Sequence, residues 1–235
     1  MGLVFESVAY TFDIVHGIGE GWLVPFVGDQ QQLLEIDLRK VGTSMGDLNE
    51  GELDNAMLKA AKGIASRVCE LYPERHAIVF MPGVASAELT CECFNDLDPG
   101  QAVFISGKTP PDERAQSIER FRSGEVKRLV NCAIATEGFD APICDLVVMG
   151  RPTKSRSLYT QMAGRGGRPY KAGLEHFPAA EDSAHRRSAI ARSPKPDCVL
   201  LDFAGNSGRH TLISPVDILG GNYDDEVREY VRKQL

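Results

Sequence analysis

The chain has 235 residues, of which 43% are hydrophobic and 25% charged, with a formal net charge of -7. These proportions exclude a wholly disordered, collagen-like or coiled-coil chain, and the length allows one domain with a full core plus an extension but not two large domains. No apolar run approaches about 18 residues, and the N-terminus lacks the basic start and apolar stretch of a signal peptide, so a soluble cytoplasmic protein with no membrane partner is expected.

In chain order, residues 4–11 and 32–38 read as strands, with a short helix between them that ends near residues 19–22. This stretch stands outside the later rhythm and reads as an N-terminal connector or small β/α extension over residues 1–50. Asn49 then opens a capping box with Glu52, and Leu53, Met57, Ala60, Ile64, Val68 and Leu71 recur at helical spacing, which predicts one long helix. From there short apolar strands alternate with amphipathic helices. Strands are expected at residues 76–81, 101–106, 127–132, 145–150 and 197–203, each a nearly continuous apolar run of the kind covered on both faces in a parallel sheet. Helices are expected at residues 85–94, from a Thr109 cap with Pro110 as first helical residue and a stop at Gly124, and from Ser155 onward. In the second of these, Ile118 and Phe121 should face inward. Residues 171–195, rich in Ala, Arg, Ser and Pro, read as a surface insertion in a domain spanning residues 51–210. Residues 211–235 read as a tail, with a helix over 223–235. The alternation predicts an α/β fold with a doubly wound parallel sheet and helices on both faces.

Charge is unevenly placed along this plan. Residues 1–60 hold ten acids against three bases, whereas residues 151–171 carry Arg151, Lys154, Arg156, Arg165, Arg168 and Lys171 with no acid. Such a cluster can be a solvated face, but its length without a compensating acid favours an anionic partner, phosphate above all. The six cysteines form no CxxC pair and the five histidines show no ligand spacing, so reduced, buried thiols are expected and no metal site.

Two apparent motifs fail on inspection. Gly107, Lys108 and Thr109 supply the end of a phosphate-binding P-loop, yet Ala102 stands where its first glycine is needed and the intervening residues are the strand itself. Gly17 and Gly19 begin a GxGxxG whose last position is Trp22. The strongest constellation is QMAGRGGRP, residues 161–169: on a helix Gln161 and Arg165 share a face, and Arg168 follows where Gly166 and Gly167 end it. Both guanidinium groups could reach one triphosphate, and planar guanidinium suits a developing phosphoryl charge. A solvent-exposed arginine-rich turn is the alternative. A second constellation, ATEGFDAP at residues 135–142, follows an expected strand, the place where doubly wound sheets bind ligands. Gly138 there permits close backbone approach and Asp140 offers a carboxylate.

The segments AIVFMPGVASAELT, ISGKTPPDERAQSIERFRSGEVKRLVN, ATEGFDAP and RPTKSRSLYTQMAGRGGRP resemble, in order and spacing, motifs IV, IVa, V and VI of the second (C-terminal) RecA-like domain of superfamily-2 helicases. The likeness spans about residues 77–169 and extends to VLLDFAGNSGRH. Within the superfamily it is similar to the DEAD/DEAH-like branch that includes type III restriction subunits and phage or bacterial repair helicases, and VFESVAYTFDIVHGIGEGWLVP is similar to the segment that enters this domain there.

This resemblance implies a RecA-like fold and a set of roles. Arg165 and Arg168 would be arginine fingers facing ATP, with Gln161 beside them, and Glu137, Gly138 and Asp140 would touch the nucleotide or position water. Pro82, Gly83, Ser106, Gly107, Lys108, Asn131 and Cys132 would lie along the nucleic-acid backbone, DNA ahead of RNA. Many relatives carry threonine at the Cys132 position, and cysteine is a poor substitute for its hydroxyl. With no true P-loop and no DExx box, ATP and magnesium would be held mainly by a first RecA-like domain, and this chain alone would not hydrolyse ATP. A non-enzymatic module that keeps the fold to bind nucleic acid or protein is the rival from another class.

Overall fold

The computed structural model describes residues 14–132, 140–170 and 182–206, together with Leu212 and Ile218. The strand expected at 4–11, most of the 135–142 loop, and the helix expected at 223–235 lie outside the described residues.

The chain enters through α1 (Ile14–Gly19), β1 (Phe26–Asp37) and a hairpin of β2 (Thr43–Ser44) with β3 (Asp47–Leu48). There follow α2 (Glu50–Leu58), α3 (Ala61–Leu71), β4 (Ala77–Met81), α4 (Val84–Leu97), β5 (Ala102–Ile105), α5 (Pro111–Arg122) and β6 (Arg128–Cys132). The last described elements are β7 (Leu146–Met149), α6 (Arg156–Gly164), α7 (Ser183–Ala191) and β8 (Cys198–Asn206). Among the described residues six strands form one parallel sheet in the order β1-β8-β7-β4-β6-β5. Because every strand of this sheet runs the same way, the carboxyl ends of β4, β5, β6 and β7 lie along one edge, where such sheets bind ligands.

Both faces of the sheet are covered, which is why its central strands read as unbroken apolar runs. On one face Val15, Ile18, Phe121, Tyr159, Met162, Ala163 and Ile190, from α1, α5, α6 and α7, pack on Ile78, Phe80, Leu129, Val147 and Leu200. The other face receives Leu53, Met57, Ile64, Val68, Ala87 and Phe94, from α2, α3 and α4, against Val79, Val130, Val148, Val199 and Leu201. This RecA-like doubly wound arrangement is the expected fold.

Local differences from the sequence expectation have physical causes. β1 begins at Phe26 and pairs with β8 as an edge of the main sheet. Its GDQQQ stretch hides it from hydropathy, since an edge strand keeps polar side chains toward solvent. The single long helix is split between Leu58 and Ala61, where Ala60 N–H bonds Met57 O at 3.0 Å and tightens the chain. Asn49 does cap its start, accepting from Glu52 N–H at 3.1 Å, but the Glu52 carboxylate turns to Gly42 N–H instead of closing the box.

α5 starts at Pro111, one residue later than expected, because Pro110 precedes a proline and is held extended (φ -52°, ψ 145°). Thr109 instead takes the Ser106 N–H. Gly124 ends that helix at φ +78°, a left-handed conformation that favours glycine. The second half of the 171–195 stretch is not a plain surface loop. α7 buries Arg186, which stacks 4.1 Å from the Trp22 ring and donates to Glu20 O at 2.7 Å, so that it clamps the end of α1.

Candidate functional site

The site is built on α6 and the turn that ends it. Ser155 caps the helix by accepting from Leu158 N–H at 3.3 Å. Tyr159, Met162 and Ala163 are buried against the sheet, which leaves Gln161 exposed and Arg165 half-buried at the C-cap. The helix then tightens, with Arg165, Gly166 and Gly167 N–H groups bonding the carbonyls of Met162, Ala163 and Gly164 at 3.0–3.3 Å. A Cβ on Gly166 would stand 2.2 Å from Cys198 Sγ and 2.8 Å from Val147 Cγ2. On Gly167 it would stand 3.1 Å from Phe26 Cζ, and Gly167 O already accepts from Val24 N–H at 2.8 Å. Gly166 therefore serves close approach of the backbone to β7 and β8, and Gly167 close approach to the start of β1, rather than a left-handed turn.

From that seat Arg168 meets Asp140, which lies 28 positions earlier. Their ion pair measures 2.6 Å, with the side chains 60% and 44% exposed. Asp140 O in turn accepts from Arg122 Nε at 2.6 Å. The fold thus brings together two candidate residues from separate motifs, and leaves the guanidinium of Arg168 open to solvent. Glu137 and Gly138 lie outside the described residues.

The rest of the cationic run is not one anion site. Arg151 is committed to Glu50 at 2.6 Å. Asp47 of β3 accepts from Thr153 Oγ1 at 2.5 Å and from Lys154 N–H at 2.7 Å, so the hairpin braces the loop that leads into α6. Asp47 and Glu50 lie in the acidic first quarter of the chain, and the sequence carries no signal that pairs them with residues a hundred positions on.

The residues expected along a nucleic-acid backbone divide sharply. Gly107 and Lys108 are exposed, but the loop closes on itself: Ser106 is buried, its N–H donates to Thr109 Oγ1 at 2.8 Å, and Lys108 N–H donates to Ser106 Oγ at 3.3 Å. The amides of Ser106, Lys108 and Thr109 are thus spent internally. Asn131 is fully buried and donates to Val79 O at 3.1 Å, while Cys132 points its thiol at Pro82 O, and burial pushes that thiol above its ordinary pKa. Pro82 is buried too. Gly83 precedes α4, whose first turn is already occupied: Asp54 Oδ1 accepts from Ser86 N–H at 3.0 Å, and a Cβ on Gly83 would come within 2.1–2.5 Å of that carboxylate. The side chains of Asn131 and Cys132 are thus turned inward, and the Asp54 carboxylate covers the start of α4.

Beneath α6 a buried carboxylate adds a titration. Asp202 accepts from Tyr159 Oη at 3.2 Å, and burial raises its pKa to about 6, partly offset by that hydrogen bond. Between about pH 4 and pH 6 the folded protein holds a proton that the unfolded chain releases, so stability falls as pH rises through this window. Asp202→Asn should remove the slope and raise stability at pH 7 by roughly 2 kcal/mol in urea unfolding. Gly166→Ala should cost about 2–3 kcal/mol by the same measurement, because the Cys198 sulfur it meets is buried in the sheet and has little room to move.

Comparison with known proteins follows this geometry. Residues 63–170 match the family described as helicase conserved C-terminal domain. IRC3 of Saccharomyces cerevisiae, assigned as an ATP-dependent helicase, is 28% identical over 96% of the chain, which covers 30% of that protein. A 51.5 kDa protein of a Lactococcus phage is 31% identical over 58% of the chain and is itself covered to 30%. The chain thus spans less than a third of the length of these relatives. A structure of a fragment assigned as the HsdR subunit of a type I restriction enzyme from Vibrio vulnificus superposes with a TM-score of 0.61 at 21% identity, over 88% of this chain and 36% of that one, which bears on the fold alone. The motif order along the sheet edge and the match over residues 63–170 agree: that part of the chain is similar to the helicase conserved C-terminal domain.

Proposed function

We propose that the chain acts as the second motor domain of an ATP-dependent nucleic-acid helicase or translocase. In this proposal Arg165 and Arg168 face the γ-phosphate of ATP bound mainly on a first RecA-like domain, with Gln161 beside them. The observation that carries it is the turn after α6, where a glycine seat holds Arg168 against Asp140 with its guanidinium exposed at the sheet edge. An exposed pair of this kind contributes little to stability, so its placement suits a partner outside the domain. ATP-dependent helicases among the similar proteins support the same assignment.

The chemistry follows from position. Closure of two domains would exclude water and bring the guanidinium groups onto the phosphoryl oxygens. A water molecule then adds to the γ-phosphorus as the bond to the ADP oxygen breaks, and the arginines meet the charge spread over the transferring group. Reopening would step the domains along a strand. In this proposal the magnesium that accompanies ATP is held mainly by the first domain. Lys108 is the exposed candidate for contact with a nucleic-acid backbone, and DNA is proposed ahead of RNA.

The test is ATP hydrolysis by this chain alone and by the chain joined to a first RecA-like domain that carries a P-loop and a DExx box. The chain alone should show none, and in the joined protein Arg168→Ala should lower kcat by on the order of a thousandfold, with little recovery in Arg168→Lys. Stability of the isolated domain should change by less than about 0.5 kcal/mol in either variant. Nucleic-acid-stimulated turnover by the chain alone, or an unchanged kcat in Arg168→Ala, would overturn the assignment.

A further inference from the structure

The segment between α7 and β8 reads Ser193, Pro194, Lys195, Pro196, and its burial is inverted. Both prolines are exposed, whereas Lys195 between them is only 2% exposed. A lysine is almost never buried without a partner, and this one has no carboxylate within ion-pairing distance among the salt bridges of the described residues. Its ammonium instead donates to two backbone carbonyls, Arg168 O at 2.7 Å and Pro142 O at 3.0 Å. Burial lowers its pKa from the ordinary value, against the opposing pull of Asp145 and Asp140.

The surroundings hold this lysine in place from both sides. Pro196 confines it to an extended backbone. Ser193 Oγ donates to Lys195 O at 2.9 Å and accepts from its N–H at 3.2 Å. One residue beyond the prolines, Asp197 pairs with Arg75 at 2.6 Å and pins the start of β8. The two carbonyls that Lys195 reaches belong to the two segments that present the candidate nucleotide residues. Pro142 stands two residues after Asp140, and Arg168 is itself the finger candidate. These segments are therefore tied twice, at the solvent side by the Arg168–Asp140 pair and from the interior by one buried ammonium.

We propose that Lys195 is a positioning residue, a buried cross-tie that fixes the 140–142 segment against the turn after α6 so that Arg168 and Asp140 are presented together. The proposal rests on the nucleotide-facing role argued above for its functional consequence, but the tie itself is a property of this chain. Losing the ammonium leaves both carbonyls without their buried donor. The two segments then separate locally while the sheet beneath them, held by its own ladders, does not.

Amide hydrogen exchange of the full chain, read by mass spectrometry, tests the tie without any assay of activity. In Lys195→Met, exchange over residues 140–145 and 165–170 should rise by about tenfold, the factor one charge-assisted hydrogen bond is worth, while peptides of β4 and β6 change by less than about twofold. Lys195→Arg, which can donate to both carbonyls, should restore most of the protection. If Lys195→Met does not fold, Lys195→Gln, with a shorter neutral donor, should show the same local pattern in weaker form. A uniform rise across all peptides, or no rise in the two segments, would overturn the proposal. In the chain joined to a first RecA-like domain, Lys195→Met should lower kcat by about tenfold with KM nearly unchanged, and Lys195→Arg should recover it. Arg168→Ala measured alongside separates the two claims: if it lowers kcat while Lys195→Met does not, the cross-tie fails alone, and if neither does, the nucleotide-facing role fails.

Discussion

Everything at the candidate site depends on how closely the end of α6 approaches the sheet. At Gly166 there is no space for even one methyl group, since Cys198 and Val147 lie where it would project. That contact fixes the depth of the helix, and the helix depth fixes where Gly167 meets Val24 and where the chain emerges as Arg168. A second finger candidate, Arg165, sits on the last turn of the same helix and so is held by the same seat. The spacing of arginines in this motif is thus set by packing beneath them as much as by the phosphate they are proposed to face.

A parallel sheet supplies the other half of the design. It puts every strand's carboxyl end on one edge, but the loops there still need anchoring, and three different parts of the chain provide it. The β2–β3 hairpin holds the approach to α6 through Asp47, α2 sends Asp54 into the start of α4, and the loop before β8 sends Lys195 under the turn after α6. None of these anchors belongs to a motif. Each is a polar side chain that satisfies backbone groups which a loop would otherwise bury unpaired.

Much of the fold was legible because fully covered strands are apolar throughout: the five runs read from the sequence correspond to β4 through β8, displaced by only a residue or so at most ends. β1 was harder, since GDQQQ obeys the needs of an edge and not of a core. At the site, QMAGRGGRP was readable as a helix end with paired arginines, and its meeting with Asp140 follows from the motif order. The burial of the Asn131 and Cys132 side chains was harder to read, because residues at a strand's end alternate between the two faces, and both faces here are covered. Lys195 and Asp54 left no trace in the sequence pattern. A lysine between prolines looks like exposed loop, and an aspartate on a helix looks like solvated surface, until long-range contacts show what each one caps.

Completion of a nucleotide site on another domain is the role proposed for the turn after α6. It is tested most directly by association of this chain with a separate first RecA-like domain, measured in the presence of ADP with beryllium fluoride and in the presence of ADP alone. Association should strengthen with the phosphate mimic by about tenfold or more and lose that increment in Arg168→Ala, as expected when a charge-assisted contact to the mimic is removed. Association that ignores the mimic, or an increment that survives Arg168→Ala and Arg165→Ala together, would contradict it.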